Sequence, residues 1–225
     1  MGMRTKKILL ACEIMEPEIE LLRRGFDQLE VHYLDQSLHR TPHRMQGIVQ
    51  EKIDAVEVGA SEMVLGYGLC SKGIAGLKCK SVRLVIPRCH DCIALFLGSI
   101  EAYGRRMETQ PGTYYLTPGW IREKKDPLGI VEQEYTPKMG RELAVWGMGE
   151  ELKNYTHITY VKTGAGESEA LRQRARENAI FFEKIFEDIQ GSMGFFEKLI
   201  KGPYLEPDFV VLAPKEEVRM DMFFN

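Results

Sequence analysis

The chain of 225 residues is long enough for one large domain or for two small lobes that share a core. Apolar residues make up 44% of it and charged residues 28%, with a formal net charge of -3, which excludes a disordered or collagen-like chain. Because lysine and arginine are not in excess, we do not expect nucleic acid as a partner.

The apolar runs of the sequence predict no membrane span. Residues 8–11 form a run that is too brief for the core of a signal peptide, and no run approaches the about 20 apolar residues that a span needs. We therefore expect a cytoplasmic protein with no membrane partner. In that reducing compartment, clustered cysteines indicate metal binding or catalysis rather than a disulfide framework.

Short apolar runs alternate along the chain with amphipathic stretches of helical spacing, which is typical of an α/β fold. The predicted strands are residues 7–11, 31–34, 63–65, 83–86, 113–116, 158–161 and 209–212. The helix candidates between the first of these are residues 17–24, 42–58 and 92–107. We expect an open, mostly parallel twisted sheet with helices on both faces, Rossmann-like or flavodoxin-like in type.

The second half of the chain has wider spacing between its predicted strands. An apolar stripe that includes Ala175, Phe182 and Ile185 predicts one long covering helix over residues 168–189. Residues 122–140, rich in charge, proline and glycine, are the candidate linker or mobile loop. The chain then divides into a cysteine-bearing α/β lobe and a second α/β lobe, which form one continuous domain or enclose a cleft. The predicted lobes are residues 1–110 and 111–225.

The cysteines are unevenly placed, since all of them fall within the first 92 residues. They are Cys12, Cys70, Cys79, Cys89 and Cys92. Cys12 directly follows the first predicted strand, Cys70 comes just after the third, and Cys92 belongs to a short block after the fourth. Because the carboxyl ends of parallel strands share one edge of a sheet, these thiols can converge there.

Thiols and imidazoles at one sheet edge have the chemistry of a tetrahedral zinc site. His90 stands between Cys89 and Cys92 in the sequence and is the natural fourth ligand. It can equally orient a metal ligand without binding the metal itself, or act as a general base. His39 follows the second predicted strand and reaches the same edge. A single CxxC pair does not by itself make a zinc ribbon. The predicted metal ligands are Cys12, Cys70, His90 and Cys92.

Other side chains are placed where they can shape a substrate site. Asp91 is the predicted cap of the next helix and can orient a histidine. Arg88 can hold a carboxylate or phosphate, and Trp120 can form the wall of a pocket. Gly68 lies in a glycine-rich turn that lets a ligand approach the backbone. The candidate substrate-binding residues are His39, Gly68, Arg88, Asp91 and Trp120.

Several blocks of the sequence resemble an uncharacterised bacterial and archaeal family known only as a domain of unknown function. These blocks are residues 38–39, 66–70 (GYGLC), 87–93 (PRCHDCI), 97–99 (LGS) and 111–120 (PGTYYLTPGW). The resemblance covers most of the chain and implies an association with corrinoid-dependent methyltransferase systems of one-carbon metabolism. It also implies that Cys79 and Cys89 are incidental. The side chains that it implies for the site are Cys12, Cys70, His90 and Cys92.

Three functions are consistent with these features. In the first, an open zinc site serves methyl or alkyl transfer on a small molecule or with a corrinoid protein, because the metal keeps a thiolate deprotonated. In the second, a closed zinc site only braces the sheet edge of a non-catalytic protein that binds a small molecule or a corrinoid. In the third, the chain is a thiol redox enzyme that uses Cys92, whose place in the first helical turn lowers the pKa of its thiol.

Overall fold

The computed structural model describes residues 6–224, which form two β-sheets with helices packed around them. The strands are β1 (Lys6–Cys12), β2 (Leu29–Leu34), β3 (Ala60–Gly66), β4 (Leu84–Pro87), β5 (Thr113–Leu116), β6 (His157–Lys162), β7 (Ile185–Gln190) and β8 (Phe209–Leu212). The helices are α1 (Glu16–Leu22), α2 (Pro42–Val56), α3 (Ile93–Leu97), α4 (Ile100–Thr109), α5 (Pro118–Arg122), α6 (Pro127–Ile130), α7 (Thr136–Met139), α8 (Arg141–Glu151), α9 (Glu169–Phe181) and α10 (Gly194–Lys201). Within residues 6–224, no helix is both long and apolar enough to cross a membrane.

The first sheet has the strand order β2-β1-β3-β4-β8. Strand β1 pairs in parallel with β2 and β3, and β3 pairs in parallel with β4, whereas β8 runs antiparallel to β4. The central strand β1 is buried from Ile8 to Cys12, as expected for a strand that is covered on both faces. The predicted open, mostly parallel α/β fold is confirmed.

The order of the strands reverses between β1 and β3. From β1 the chain crosses to β2 on one side, and it later builds β3 and β4 on the other side. In open α/β sheets, ligands bind at the carboxyl ends of the strands beside such a reversal. Ala11 pairs with Gly66 across this junction, so the end of β1 at Cys12 lies beside the end of β3.

The second sheet is parallel and has the order β5-β6-β7. It shares one buried core with the first sheet, to which Leu9 and Val64 contribute from the first sheet and Ile158 and Val161 from the second. Strand β8 returns to the first sheet, so the chain beyond residue 111 contributes to both sheets. The lobe boundary at residue 110 stays a prediction.

The seven predicted strands each overlap a strand of the structure, but β7 was not predicted. The long helix expected over residues 168–189 is wrong, because α9 ends at Phe181 and the chain passes through Glu183, at a φ of +54°, into β7. Phe186 and Ile189 pack against the core from this strand. Their spacing of three residues is that of a helical stripe and puts them on opposite faces of β7, so periodicity alone gave the incorrect element.

Residues 122–140, predicted as a linker or mobile loop, are mostly helical and packed. Asp126 accepts a hydrogen bond from the Gly129 N–H and so caps α6, and the Leu128 N–H donates to Asn178 of α9 at 2.7 Å. A π-helical turn then joins α6 to α7, with Val131 buried. The prolines of this segment stand in the first turns of these helices, where a proline is tolerated.

Candidate functional site

Three thiols and one imidazole meet at the carboxyl ends of β1 and β3. The His39 imidazole lies within hydrogen-bonding reach of the Cys12 and Cys70 thiols. The Cys92 and Cys70 thiols lie within hydrogen-bonding reach of each other, with Cys92 as the donor. All three thiols are buried. We call Cys12, His39, Cys70 and Cys92 the thiol–imidazole cluster.

The turn after β3 is tied to the loop after β4, and this connection places Cys70. The Leu69 N–H donates to the Cys89 carbonyl at 2.8 Å, and the Cys70 N–H donates to the His90 carbonyl at 3.1 Å. Gly68 makes the close approach possible, since a Cβ there would come within 2.8 Å of the Cys89 carbonyl oxygen. Cys70 itself has a φ of +46°, a left-handed conformation that non-glycine residues rarely adopt and that is common at functional sites.

His39 lies in the helical turn that follows β2, and its ring stacks on Tyr67 with a centroid distance of 5.9 Å. The ring is beside the thiols, yet its buried Nε2 has no partner with regular hydrogen-bond geometry. An unpaired buried nitrogen costs about 1–3 kcal/mol, so this atom is available to a partner.

Contacts within the cluster shift the pKa values of its side chains and so determine which of them are protonated. The hydrogen bond from Cys92 lowers the pKa of Cys70 in spite of burial, and His39 adds to this effect. Burial opposes a charge on His39, but the hydrogen bonds with Cys12 and Cys70 outweigh it and raise the pKa of the imidazole. For Cys12, burial dominates and raises the pKa above its usual value. The cluster therefore favours a thiolate on Cys70.

The lowered pKa expected for Cys92 is wrong. The residue directly precedes α3 as its capping position, and its thiol donates to Cys70. This hydrogen bond and burial together raise the pKa of Cys92 well above that of a free thiol. The expected continuous helix over residues 92–107 is also broken, because Gly98 ends α3 in a left-handed conformation with a φ of +89°.

His90 does not join the thiols as the sequence predicted. Its side chain is exposed, and its ring meets Phe224 edge-on at a centroid distance of 4.7 Å. His39, which was predicted as a substrate-binding residue, takes the place beside Cys12 and Cys70. The structure thus brings together three of the four residues predicted as ligands, and His39 rather than His90 lies beside them.

As these side chains stand, no group of three or more His, Cys, Asp or Glu residues among residues 6–224 is arranged so that it could hold a metal ion. The donor types of the cluster nevertheless fit a soft metal, because sulfur and imidazole are the ligands that zinc prefers. The unpartnered Nε2 of His39 fits as well. Metal binding at the cluster stays a prediction.

Cys79 and Cys89 are buried outside the cluster. Burial raises the pKa of both thiols, and the charged neighbours of Cys79 are Glu57 and Asp54. Cys89 lies near Cys70, but its sulfur packs against the backbone at Gly68. All five cysteines are free thiols in the structure.

A cavity of about 210 Å³ opens beside the cluster, which lines it with His39 and Cys92. We call it the aromatic cavity, because most of its remaining wall comes from β5, α5 and the loop before β6. Those wall residues include Tyr114, Tyr115, Trp120 and Tyr155. The cavity therefore lies where the carboxyl edge of the first sheet meets the second sheet.

Trp120 reaches the cavity because of the residue before it. A Cβ on Gly119 would lie 1.9 Å from the Ile14 carbonyl oxygen, so only glycine lets α5 dock on the turn after β1. The Trp120 ring then packs 5.8 Å from the ring of Phe96 and lines the aromatic cavity.

Of the remaining predicted substrate-binding residues, Asp91 lies at the cavity and Arg88 does not. Asp91 lines the aromatic cavity, and its Oδ1 accepts the Ile93 N–H at 2.9 Å as a helix cap. Arg88 does not line the cavity and instead forms an ion pair with Glu206 at 2.8 Å.

Sequence reasoning missed Tyr67 and Gln36. Tyr67 is fully buried, and its unpartnered hydroxyl group lies near three of the thiols, whose charges together with burial raise its pKa. Gln36 lines the aromatic cavity with a buried Oε1 that has no hydrogen-bond partner. The position of Tyr67 in the glycine-rich turn was a usable signal, whereas Gln36 carried none.

Comparison with known proteins gives a family and no function. No curated protein and no solved structure matches the chain. The family described as protein of unknown function (DUF1638) matches residues 33–200, a stretch that includes His39, Cys70 and Cys92 but not Cys12. The predicted resemblance to a family of unknown function is thereby confirmed. Because the match covers well over half of the chain, the protein belongs to the DUF1638 family of proteins of unknown function.

Proposed function

We propose that the protein binds zinc at the thiol–imidazole cluster and uses this site for methyl or alkyl transfer on a small molecule held in the aromatic cavity. The observation that carries the proposal is the convergence of three buried thiols and His39 where the strand order reverses. Chemically diverse ligands of open α/β sheets bind at this place.

The four cluster side chains are the candidate ligands, with His39 in the position predicted for His90, and transfer requires that only three of them bind at once. A bound zinc ion keeps a thiolate deprotonated at neutral pH and, with three protein ligands, leaves one position for a substrate. The unpartnered His39 Nε2 is a ready donor atom for it. Shifts of buried side chains are required, because the present arrangement is not a three-ligand group.

The cluster side chains differ in their position relative to a substrate in the aromatic cavity. His39 and Cys92 line the aromatic cavity, so they face a substrate, whereas Cys12 and Cys70 lie behind them. In an alkyl transfer, a sulfur–carbon bond forms while the bond from that carbon to its leaving atom breaks, and the electron pair departs with the leaving atom. The aromatic walls keep water away from this centre.

A corrinoid protein as the partner and a cytoplasmic location belong to the same proposal. Five free thiols are consistent with a reducing compartment. A corrinoid protein would have to present its cofactor at the mouth of the aromatic cavity, because that is where His39 and Cys92 are accessible.

Metal analysis of protein purified without chelators tests the proposal. We expect about one zinc ion per chain in the wild type and a large loss in Cys70→Ser and in His39→Gln. His90→Gln is the matched control, since its side chain is exposed and meets Phe224 edge-on, and it should retain zinc. Metal-free wild-type protein, or equal zinc in Cys70→Ser and the wild type, would overturn the proposal.

A cobalt-substituted sample distinguishes a catalytic metal site from a purely structural one. The visible spectrum of cobalt reports how many ligands surround the ion. A spectrum that changes when a small thiol is added indicates an exchangeable position and supports transfer chemistry. A four-ligand spectrum that no added ligand changes supports the non-catalytic alternative, in which the metal only stabilises the sheet edge.

A second candidate function is thiol chemistry without a metal. The Cys92 thiol donates to the Cys70 sulfur, and Cys70 has a left-handed backbone, so the nucleophile of such an enzyme would be Cys70 rather than Cys92. Alkylation of metal-free protein at pH 6, followed by mass spectrometry, tests this candidate. Labelling of Cys70 no faster than of a free cysteine would exclude it.

A further inference from the structure

The walls of the aromatic cavity are rich in aromatic residues and include one carboxylate. Besides His39, four aromatic residues line it together with Asp91, and no lysine or arginine of the described residues lines it. Cation recognition by proteins commonly uses several aromatic faces around a positive group. Among the described wall residues only His39 can carry a positive charge, and the neighbouring Cys70 thiolate balances that charge. The four aromatic residues are Tyr114, Tyr115, Trp120 and Tyr155.

The rings are held in place by neighbours outside the cavity. Tyr114 and Tyr155 meet edge-to-face, with centroids 5.4 Å apart and an interplanar angle of 74°. The Tyr115 hydroxyl accepts a hydrogen bond from Arg106 at 3.4 Å, and Trp120 packs against Phe96. Walls that are already ordered lose little conformational entropy when a ligand binds.

Nearby cations are neutralised by other carboxylates. Arg106 pairs with Glu187, and Arg40 lies 2.9 Å from Glu151. Within residues 6–224 Asp91 has no lysine or arginine partner, and its charge is felt at the cavity wall, where it adds to burial in raising the pKa of Tyr155. Asp91 therefore contributes a negative charge to the cavity wall.

One wall atom that lacks a partner is able to accept a hydrogen bond. The Gln36 Oε1 is buried and unpaired. A ligand that carries an N–H or O–H group would satisfy it. A donor on a cationic ligand thus matches the acceptor that Gln36 presents.

We propose that the aromatic cavity binds a small organic ammonium cation, with its alkyl groups against the four rings and its charge facing Asp91. This inference rests on the proposed function, since it names the substrate class of that same site. In an alkylated ammonium ion, the alkyl carbon atoms are bonded to the positive nitrogen. Bound in the cavity, these carbon atoms would lie beside Cys92 and His39, where the proposed alkyl transfer takes place.

Calorimetric titration of the protein as purified with a matched pair of probes tests this inference. Choline carries a trimethylammonium group, and 3,3-dimethylbutan-1-ol is its neutral isostere. We expect choline to bind at least about ten-fold more tightly, as a desolvated cation–π site predicts. Equal affinity for both probes, no measurable binding of choline, or tighter binding of acetate than of choline would overturn the proposal.

Two pairs of variants localise the binding. Tyr155→Phe retains the π-face and should retain the preference for choline, whereas Tyr155→Leu should reduce it several-fold. Asp91→Asn keeps a side-chain oxygen for the helix cap, so its expected weaker binding of choline reports the lost charge. Unchanged affinity in both Tyr155→Leu and Asp91→Asn would contradict binding in this cavity.

The same titration on Cys70→Ser separates this inference from the proposed function. Choline preference that survives without zinc supports the ammonium site even if the metal proposal fails. Wild-type protein that holds zinc but shows no preference for choline overturns the ammonium site alone.

Discussion

The His39 ring stacks on the Tyr67 ring with a centroid distance of 5.9 Å and an interplanar angle of 28°. This contact joins the turn after β2 to the turn after β3 and turns the imidazole towards Cys12 and Cys70. The buried Tyr67 hydroxyl has no hydrogen-bond partner. Tyr67 therefore supports the cluster through its ring rather than through its oxygen.

Substitutions at Tyr67 separate the two parts of its side chain. Tyr67→Phe removes an unpaired buried hydroxyl group and should leave the free energy of unfolding unchanged or raise it by about 1 kcal/mol. Tyr67→Leu removes the stacked ring and should lower it by about 3 kcal/mol. Urea unfolding measures both changes. A loss of more than about 1 kcal/mol in Tyr67→Phe would mean that the hydroxyl group has a partner.

Gly119 should be intolerant of even one added methyl group. In Gly119→Ala the new Cβ would meet the Ile14 carbonyl oxygen, which belongs to backbone and cannot turn away, so we expect a loss of about 3 kcal/mol in unfolding free energy. Gly147→Ala is the control, because nothing lies within 4 Å of its Cβ and it stands inside α8. That variant should gain about 0.5–1 kcal/mol. Similar stability of both variants would contradict the tight docking of α5.

The Glu18 carboxyl links α1 to the loop after β6. Thr163 donates a hydrogen bond to its Oε1 at 2.7 Å, while its buried Oε2 has no partner. Burial raises the pKa of Glu18 from 4.5 to about 7 in the folded protein, although the hydrogen bond from Thr163 opposes this. The folded state thus binds the Glu18 proton more tightly than the unfolded state does.

The stability of the protein should therefore fall as the pH rises between 4.5 and about 7 on account of Glu18. Its contribution is complete below the unfolded pKa and is lost above the folded one, with a total of about 3 kcal/mol. Glu18→Gln should flatten this slope and raise the unfolding free energy at pH 8. The exposed Glu51→Gln is the control. An unchanged slope in Glu18→Gln would show that the carboxyl titrates normally.

Much of the fold could be predicted from the sequence, because buried strands are short apolar runs. The parallel order then followed from the helical stretches between the runs. Strand β7 could not be predicted, because Phe186 and Ile189 lie in an edge strand of the second sheet and their spacing of three residues is that of a helix. Whether such a segment is a strand depends on its pairing with β6, a contact that local periodicity does not contain.

The site residues that directly follow strands could be predicted from the sequence, because the ends of the strands fix their positions. Cys12 and Cys70 follow adjacent parallel strands, so their convergence follows from topology. The direction of a loop side chain depends instead on distant partners. His90 meets Phe224 at the far end of the chain, while His39 is turned inward by Tyr67, and neither contact leaves a signal near the histidine in the sequence.

The central claim is that a metal ion sits at the thiol–imidazole cluster. A crystal structure with anomalous scattering data collected on both sides of the zinc absorption edge tests it most directly. The account predicts one strong anomalous peak bounded by the sulfur atoms of the three cluster thiols and the Nε2 of His39. An anomalous map with no peak at the cluster, or with its peak beside His90, would contradict it.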